Sequence, residues 1–121
     1  MIVFILVSSI VFAQEENKNL YAGNEFFKGK KYIDSEADYR VAASKGNSIK
    51  AAANYNLGNS IYRQNQAGEA KFKFLEATIT ATSKAQKHKA FHNLGNSLML
   101  EKNYQAAVEA FKNALRNNPL D

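Results

Sequence analysis

The sequence predicts an all-α fold built from three tandem helical hairpins. Gly23, Gly58 and Gly95 are separated by 35 and 37 residues, and the segment 56–60 recurs almost unchanged at 93–97. A small residue lies twelve positions after each glycine, and an aromatic residue lies sixteen positions after it. Because a single helical hairpin cannot bury its apolar face alone, we expect the three hairpins to stack into a short right-handed solenoid.

Composition bounds the class of protein. The chain has 121 residues, of which 45% are hydrophobic and 22% are charged, so one folded domain is expected rather than a disordered chain. The absence of cysteine excludes a disulfide framework, a zinc-binding cysteine set and a thiol nucleophile. The net charge of +5 is modest, and acidic residues interrupt the lysines, so a nucleic-acid partner is not expected.

The first element is an uncharged segment over residues 1–13, in which all but the two serines are apolar. A membrane-spanning helix needs about 20 apolar residues, so this segment is too short to span. Its length and its Val11-x-Ala13 ending are typical of a secretory signal peptide, either cleaved or kept as an N-terminal anchor. We therefore expect an exported protein, periplasmic or peripherally attached to the cell envelope, with a mature chain over 14–121. The alternative is a buried N-terminal helix.

The three hairpins follow in order, as units over about 16–49, 51–84 and 88–121. In each unit, apolar residues at helical spacing form a first helix around the glycine and a second helix around the aromatic residue. Short polar connectors separate the two helices, and we expect Gly29 to end the first helix in the left-handed conformation. Residues 85–87 have no counterpart between the first two units, so we expect them to lengthen the last helix of the second unit or its exit turn.

Glycine inside a helix costs about 1 kcal/mol relative to alanine, so its recurrence calls for a compensating contact. We expect the glycine and the small residue twelve positions later to let the two helices touch. The aromatic residue would then fill the gap beyond them.

The third unit resembles the tetratricopeptide (TPR) repeat. This resemblance implies a non-enzymatic module that binds a protein or a peptide. The residues that carry it are Phe91, Leu94, Gly95, Leu98, Tyr104, Ala107, Phe111, Ala114 and Pro119.

A narrower resemblance lies in the segments 55–59 and 91–96 together with the export signal. These features are similar to BatC-type proteins of the Bacteroides aerotolerance operon. The resemblance implies a periplasmic TPR protein that acts beside membrane-anchored Bat-type proteins with von Willebrand-type domains.

The residues offer little for catalysis. His88 and His92 are spaced for a shared metal ion, but no carboxylate lies between them, and two surface histidines explain the pattern adequately. We therefore expect no enzymatic activity, no catalytic residue, no metal site and no cofactor.

A second stripe on the first helix of each unit is expected to line a concave groove. Five of its residues are asparagines, which helices disfavour by about half a kcal/mol relative to alanine, so a merely solvated surface would use better helix formers. Asparagine amides both donate and accept hydrogen bonds, which suits the backbone of an extended peptide. In the alternative reading, Asn56 and Asn93 join neighbouring helices. The predicted groove residues are Tyr21, Asn24, Phe27, Lys28, Tyr55, Asn56, Asn59, Tyr62, Arg63, Lys89, His92, Asn93, Asn96 and Met99.

The TPR resemblance also offers a sharper possibility, the two-carboxylate clamp that captures acidic chaperone tails. Asn24, Asn56 and Lys89 match this clamp, but Leu20 and Asn93 stand where basic residues belong. Chaperone-tail capture is therefore not expected.

The runner-up function is a structural assembly module. The last hairpin is expected to expose the side surface of Val108, Phe111 and Leu115 to a partner or to a second copy. In this reading the chain self-associates through its C-terminal repeat.

Overall fold

The computed structural model describes residues 17–45 and 48–120, and within them the chain is entirely helical, which confirms the predicted all-α class. The first helix, α1, covers residues 17–28. The proposed signal peptide lies outside the described residues. Among the described helices, none has both the length and the hydrophobicity to cross a membrane. The remaining helices are α2 (Tyr32–Lys45), α3 (Lys50–Arg63), α4 (Ala67–Thr80), α5 (Lys84–Leu100) and α6 (Tyr104–Arg116).

From α2 to α6, each helix packs against the helix that follows it along the chain. In addition, α3 contacts α5, so the first helices of the second and third hairpins lie side by side on one face. We call this the inner face. The arrangement is consistent with the helical solenoid expected from the repeats.

The repeated glycines place aromatic rings directly on the helix backbone. A methyl group added at Gly23 would lie 2.6 Å from the ring of Tyr39. At Gly58 and Gly95 it would lie the same distance from the aromatic ring sixteen positions later. The expected close approach is therefore present, but the aromatic ring itself makes it. The small residue twelve positions after the glycine is also buried: Ser35 shares a 2.7 Å hydrogen bond with Ser60 of the next hairpin, whereas Ala70 and Ala107 belong to apolar clusters that include residues from the first helix of their own hairpin.

The turn inside each hairpin corrects the expectation for Gly29. This glycine does not adopt a left-handed conformation; the next residue, Lys30, does, with a φ of 59°. Asn65 and Lys102 occupy the same register with φ of 62° and 63°. In the first turn the Lys30 amide donates to the Phe27 carbonyl at 3.0 Å, and the Lys31 amide donates to the Phe26 carbonyl at 2.9 Å. The other two turns repeat this pair of bonds, which is the Schellman arrangement.

The extra residues 85–87 belong to the third hairpin, not to the second as expected. Helix α4 ends at Thr80, and α5 begins at Lys84 and is 17 residues long, compared with 14 for α3. The reason is a local cap, since the Ser83 hydroxyl accepts a hydrogen bond from the Gln86 amide at 3.1 Å.

An ionic link joins the first two hairpins. Arg40 Nη2 lies 2.6 Å from a carboxylate oxygen of Glu36 on its own helix and 2.6 Å from one of Glu69 on α4. Burial alone would raise the pKa of the Glu36 carboxyl, but the hydrogen bonds from Arg40 and Gln64 and the charge of Arg40 together hold this pKa below its ordinary value. The hydrogen bonds to Glu36 and Glu69 in turn raise the pKa of Arg40. The ionised forms of these side chains therefore stabilise the packing of α2 on α3 and α4.

Candidate partner-binding groove

A cavity of about 460 Å³ lies on the inner face between the second and third hairpins. Five predicted groove residues line it, and the sequence analysis did not include the remaining two, Asn65 and Phe74. Asn65 is the left-handed residue of its turn, so its place in the polar connector was a signal available in the sequence. Phe74 could be placed at the cavity only from the packing of its ring on Gly58. The lining residues are Asn59, Tyr62, Arg63, Asn65, Phe74, Asn93 and Asn96.

A second, smaller cavity of about 220 Å³ contains three further predicted residues, Tyr55, Asn56 and Lys89. Here the unexpected lining residues are three alanines and Gln86, whose side-chain oxygen also accepts a hydrogen bond from the Thr82 amide at 2.8 Å. The two cavities together contain eight of the predicted groove residues.

The structure places the other predicted residues outside both cavities. Tyr21 and Met99 are exposed. Lys28 pairs with Glu25 at 3.1 Å on its own helix. Phe27 packs against the apolar core and meets the Tyr32 ring edge-on, with the ring centres 5.3 Å apart, so its side chain serves hairpin packing. His92, also exposed, lies beside Phe111, with the ring centres 5.7 Å apart.

The asparagines link successive inner helices. Asn24 Oδ1 accepts hydrogen bonds from the Tyr39 hydroxyl at 2.7 Å and from Asn56 Nδ2 at 3.3 Å. Asn93 Nδ2 donates to Asn59 Oδ1 at 2.9 Å and to the Tyr55 hydroxyl at 3.1 Å. Burial raises the pKa of Tyr39 to about 12, which keeps this donor protonated. The structure thus has amides that join neighbouring helices, as the alternative reading held.

Four of the ten amide nitrogen and oxygen atoms of the five predicted groove asparagines nevertheless have no hydrogen-bond partner among the described residues. In the first pair, Asn24 Nδ2 and Asn56 Oδ1 have no hydrogen-bond partner among the described residues. Asn59 and Asn96, which both line the cavity of about 460 Å³, make up a second pair, in which Asn59 Nδ2 and Asn96 Oδ1 likewise have no partner. Each pair therefore keeps one donor and one acceptor, and all four side chains are partly exposed. Asn93, with both amide hydrogens engaged, has a structural role.

The two histidines have separate partners. His88 Nδ1 lies 2.7 Å from the carbonyl oxygen of Ala114 on α6, whereas His92 lies beside an aromatic ring. Within residues 17–45 and 48–120, no three His, Asp or Glu side chains come together as a metal-binding group.

An apolar groove on the opposite, outer face was not predicted. It has a volume of about 520 Å³, and α4, α5 and α6 line it. On α4, Phe72 is 57% exposed and Ile79 is 75% exposed, with Leu75 between them. Their spacing of three and then four residues was the available signal. The equivalent positions between the first two hairpins are charged: Arg40 there corresponds to Leu75, and Glu69 corresponds to Ala106. Arg40 and Glu69 form an ion pair.

The comparison with known proteins places the repeat in a family. The tetratricopeptide repeat family matches residues 88–120, which cover α5 from His88 and all of α6. A search of curated proteins finds no match to the chain. A tetratricopeptide repeat is therefore found in the third of the three stacked hairpins, and this finding supports the broader of the two resemblances drawn from the sequence.

Proposed function

We propose that the protein is a non-catalytic interaction scaffold that binds an extended segment of a partner protein on its inner face. Tetratricopeptide repeats generally mediate protein–protein interactions, and one is found at residues 88–120. The observation that carries the proposal is the row of partly used amides, from Asn24 to Asn96, beside two cavities. A solvated surface gains nothing from such a row.

The chemistry of an extended peptide fits these amides. Its backbone offers one donor and one acceptor per residue, at a rise of about 3.3 Å, whatever its side chains are. Each asparagine pair presents one unused donor and one unused acceptor, so it can bond to both kinds of backbone group. The partly exposed Tyr62 adds apolar contact in the larger cavity, and apolar contact beside amides is a combination typical of interfaces.

The finer proposal concerns location and partners. The apolar segment over residues 1–13 supports export to the periplasm or peripheral attachment to the envelope. The resemblance of segments 55–59 and 91–96 to BatC-type proteins supports membrane-anchored Bat-type partners in an envelope complex and a role in aerotolerance. Immunoblotting of periplasmic, membrane and cytoplasmic fractions tests this location, and recovery in the cytoplasmic fraction alone would overturn it.

The groove proposal is tested by site-specific photo-crosslinking in cells. A photoreactive amino acid replaces Tyr62 on the inner face or, as the matched control, Lys112 on the outer face of α6. The partner should crosslink at position 62 and not at position 112. Adding Asn96→Ala should reduce the yield at position 62, because it removes an unused acceptor while breaking only a 3.5 Å hydrogen bond. Equal crosslinking at both positions would contradict the proposal.

A second candidate function is assembly through α6. A comparison of side-chain exposure at equivalent positions of two hairpins favours it. Leu115 is 64% exposed, whereas Thr78, at the same register of the second hairpin, is 7% exposed. Val108 is exposed on the same helix. If copies associate through this surface, sedimentation velocity should show oligomers, and Leu115→Lys with Val108→Lys should convert them to monomers. A monomeric native chain would exclude self-association.

A further inference from the structure

From α2 to α6, the acidic residues of the helices all lie on the outer helices. The inner helices α3 and α5 contain no Asp or Glu, although the outer helices α2, α4 and α6 contain six. The charged residues of α3 and α5 are all cationic: Lys50, Arg63, Lys84, Lys87 and Lys89. Two of these cations, Arg63 and Lys89, line the two cavities of the inner face.

Ion pairing shows the same asymmetry. On the outer helices, Arg40, Lys71, Lys73 and Lys112 each form an ion pair with a carboxylate. None of the five inner cations forms an ion pair with another described residue. Four of the six cations on the outer helices thus have a neighbouring carboxylate, whereas the cations of α3 and α5 have none within the described structure.

Arg63 places a positive charge in the same cavity as the unused amides of Asn59 and Asn96. It lines the larger cavity together with Asn59, whose Nδ2 has no acceptor, and it makes no hydrogen bond to any described residue. A guanidinium group offers a planar fork of donors that matches a carboxylate, and a nearby amide N–H adds a further donor. Arg63 is not one of the five clamp positions considered from the sequence. Its cavity is therefore a separate candidate site for a carboxylate.

We propose that the segment bound on the inner face is acidic, with an Asp or Glu side chain of the partner entering the Arg63–Asn59 cavity. This inference rests on the proposed function, since it names the kind of peptide that the groove takes. The unpaired cations on α3 and α5 attract the segment, the free amides bind its backbone, and Arg63 selects its carboxylate.

The test measures fluorescence anisotropy with synthetic probes on the whole chain. The acidic probe is an N-acetylated, C-amidated peptide of alternating Ala and Glu, and its neutral counterpart carries Gln in place of Glu. The acidic probe should bind about tenfold more tightly at low salt, and raising the salt should remove most of this preference. Arg63→Gln should weaken the acidic probe by about tenfold, whereas Lys112→Gln, which makes the same charge change on α6, should leave it within about twofold.

Three results would overturn the inference. Equal binding of the Glu and Gln probes would show a groove that ignores charge, while the crosslinking test could still support peptide binding there. Binding only by a probe with a free C-terminus would assign the site to a terminal carboxylate instead of a side chain. Tighter binding by a single-stranded oligonucleotide of equal charge would assign the cations to nucleic acid. Thermal melts of both variants check that neither change unfolds the chain.

Discussion

The ring of Phe74 lies directly on the backbone of Gly58, so that a methyl group at this glycine would stand 2.6 Å from the ring. Phe74 is fully buried and has no room to withdraw. The glycine is therefore required by a neighbouring ring, although glycine weakens the helix that contains it.

The first prediction follows from this contact. Gly58→Ala should lower the free energy of unfolding by about 1–3 kcal/mol, because the core must rearrange around the added methyl group. Gly29→Ala is the matched control. Its methyl group would make only ordinary contacts with the carbonyl oxygens of Phe26 at 3.5 Å and Glu25 at 3.7 Å, and Gly29 has no positive φ, so this change should raise stability by about 0.4–1 kcal/mol. Urea denaturation measures the free energy of unfolding of both variants. A stabilising effect of Gly58→Ala would contradict the ring contact.

The left-handed turn residues give a second prediction. Lys102 has a φ of 63°, which is sterically unfavourable for a residue with a Cβ atom but not for glycine. Lys102→Gly should therefore stabilise the chain by about 1 kcal/mol. Lys102→Ala keeps the strain and should change stability little. Thermal melts distinguish the two variants, and a destabilising glycine would show that this turn does not need the left-handed conformation.

The hairpin pattern was predictable because residue spacing determines which side chains face the core. The bonds of the polar residues were not predictable in this way. The residue spacing predicted that Asn59 and Asn93 lie on one face. It did not show that the Asn93 amide donates hydrogen bonds to both Tyr55 and Asn59. It also misplaced the left-handed residue at Gly29, because glycine tolerates that conformation best, whereas the hydrogen-bond register of the turn demands it one residue later.

The outer groove was missed for a related reason. The sequence analysis compared the repeats for what they share, and the apolar stripe of Phe72, Leu75 and Ile79 is a feature of one repeat alone. The start of α5 was misjudged because a serine cap, a local interaction, determines it.

Asn54 gives a third prediction. It is 1% exposed, and its Nδ2 has no hydrogen-bond partner in the described structure. A buried amide without a partner is costly, so Asn54→Leu, which has the same number and branching of side-chain heavy atoms, should raise the free energy of unfolding by about 1–2 kcal/mol. As the control, Asn56→Leu removes an amide that donates to Asn24 and should lower it. Chemical denaturation that finds Asn54→Leu destabilising would show that the amide is satisfied in solution.

The Glu36 link gives a prediction on pH. The pKa of Glu36 is lower in the folded chain than its ordinary value of 4.5, so its stabilising contribution is present above pH 4.5 and is lost as the pH falls through the folded pKa. The free energy of unfolding should therefore fall more steeply in acid for the native chain than for Glu36→Gln. Denaturation curves from neutral pH down to about pH 3 measure this difference, and parallel curves would exclude the ionic link as a source of stability.

The central claim is that the unused asparagine amides of the inner face hold the partner, and side-chain amide resonances in NMR spectra test it most directly. The partner segment recovered by crosslinking is added to labelled protein. We predict that the side-chain NH₂ signals of Asn59 and Asn96 shift on binding, while those of Asn113 and Asn117, at the outer end of α6, stay in place. Shifts confined to α6, with the inner amides unchanged, would contradict the account.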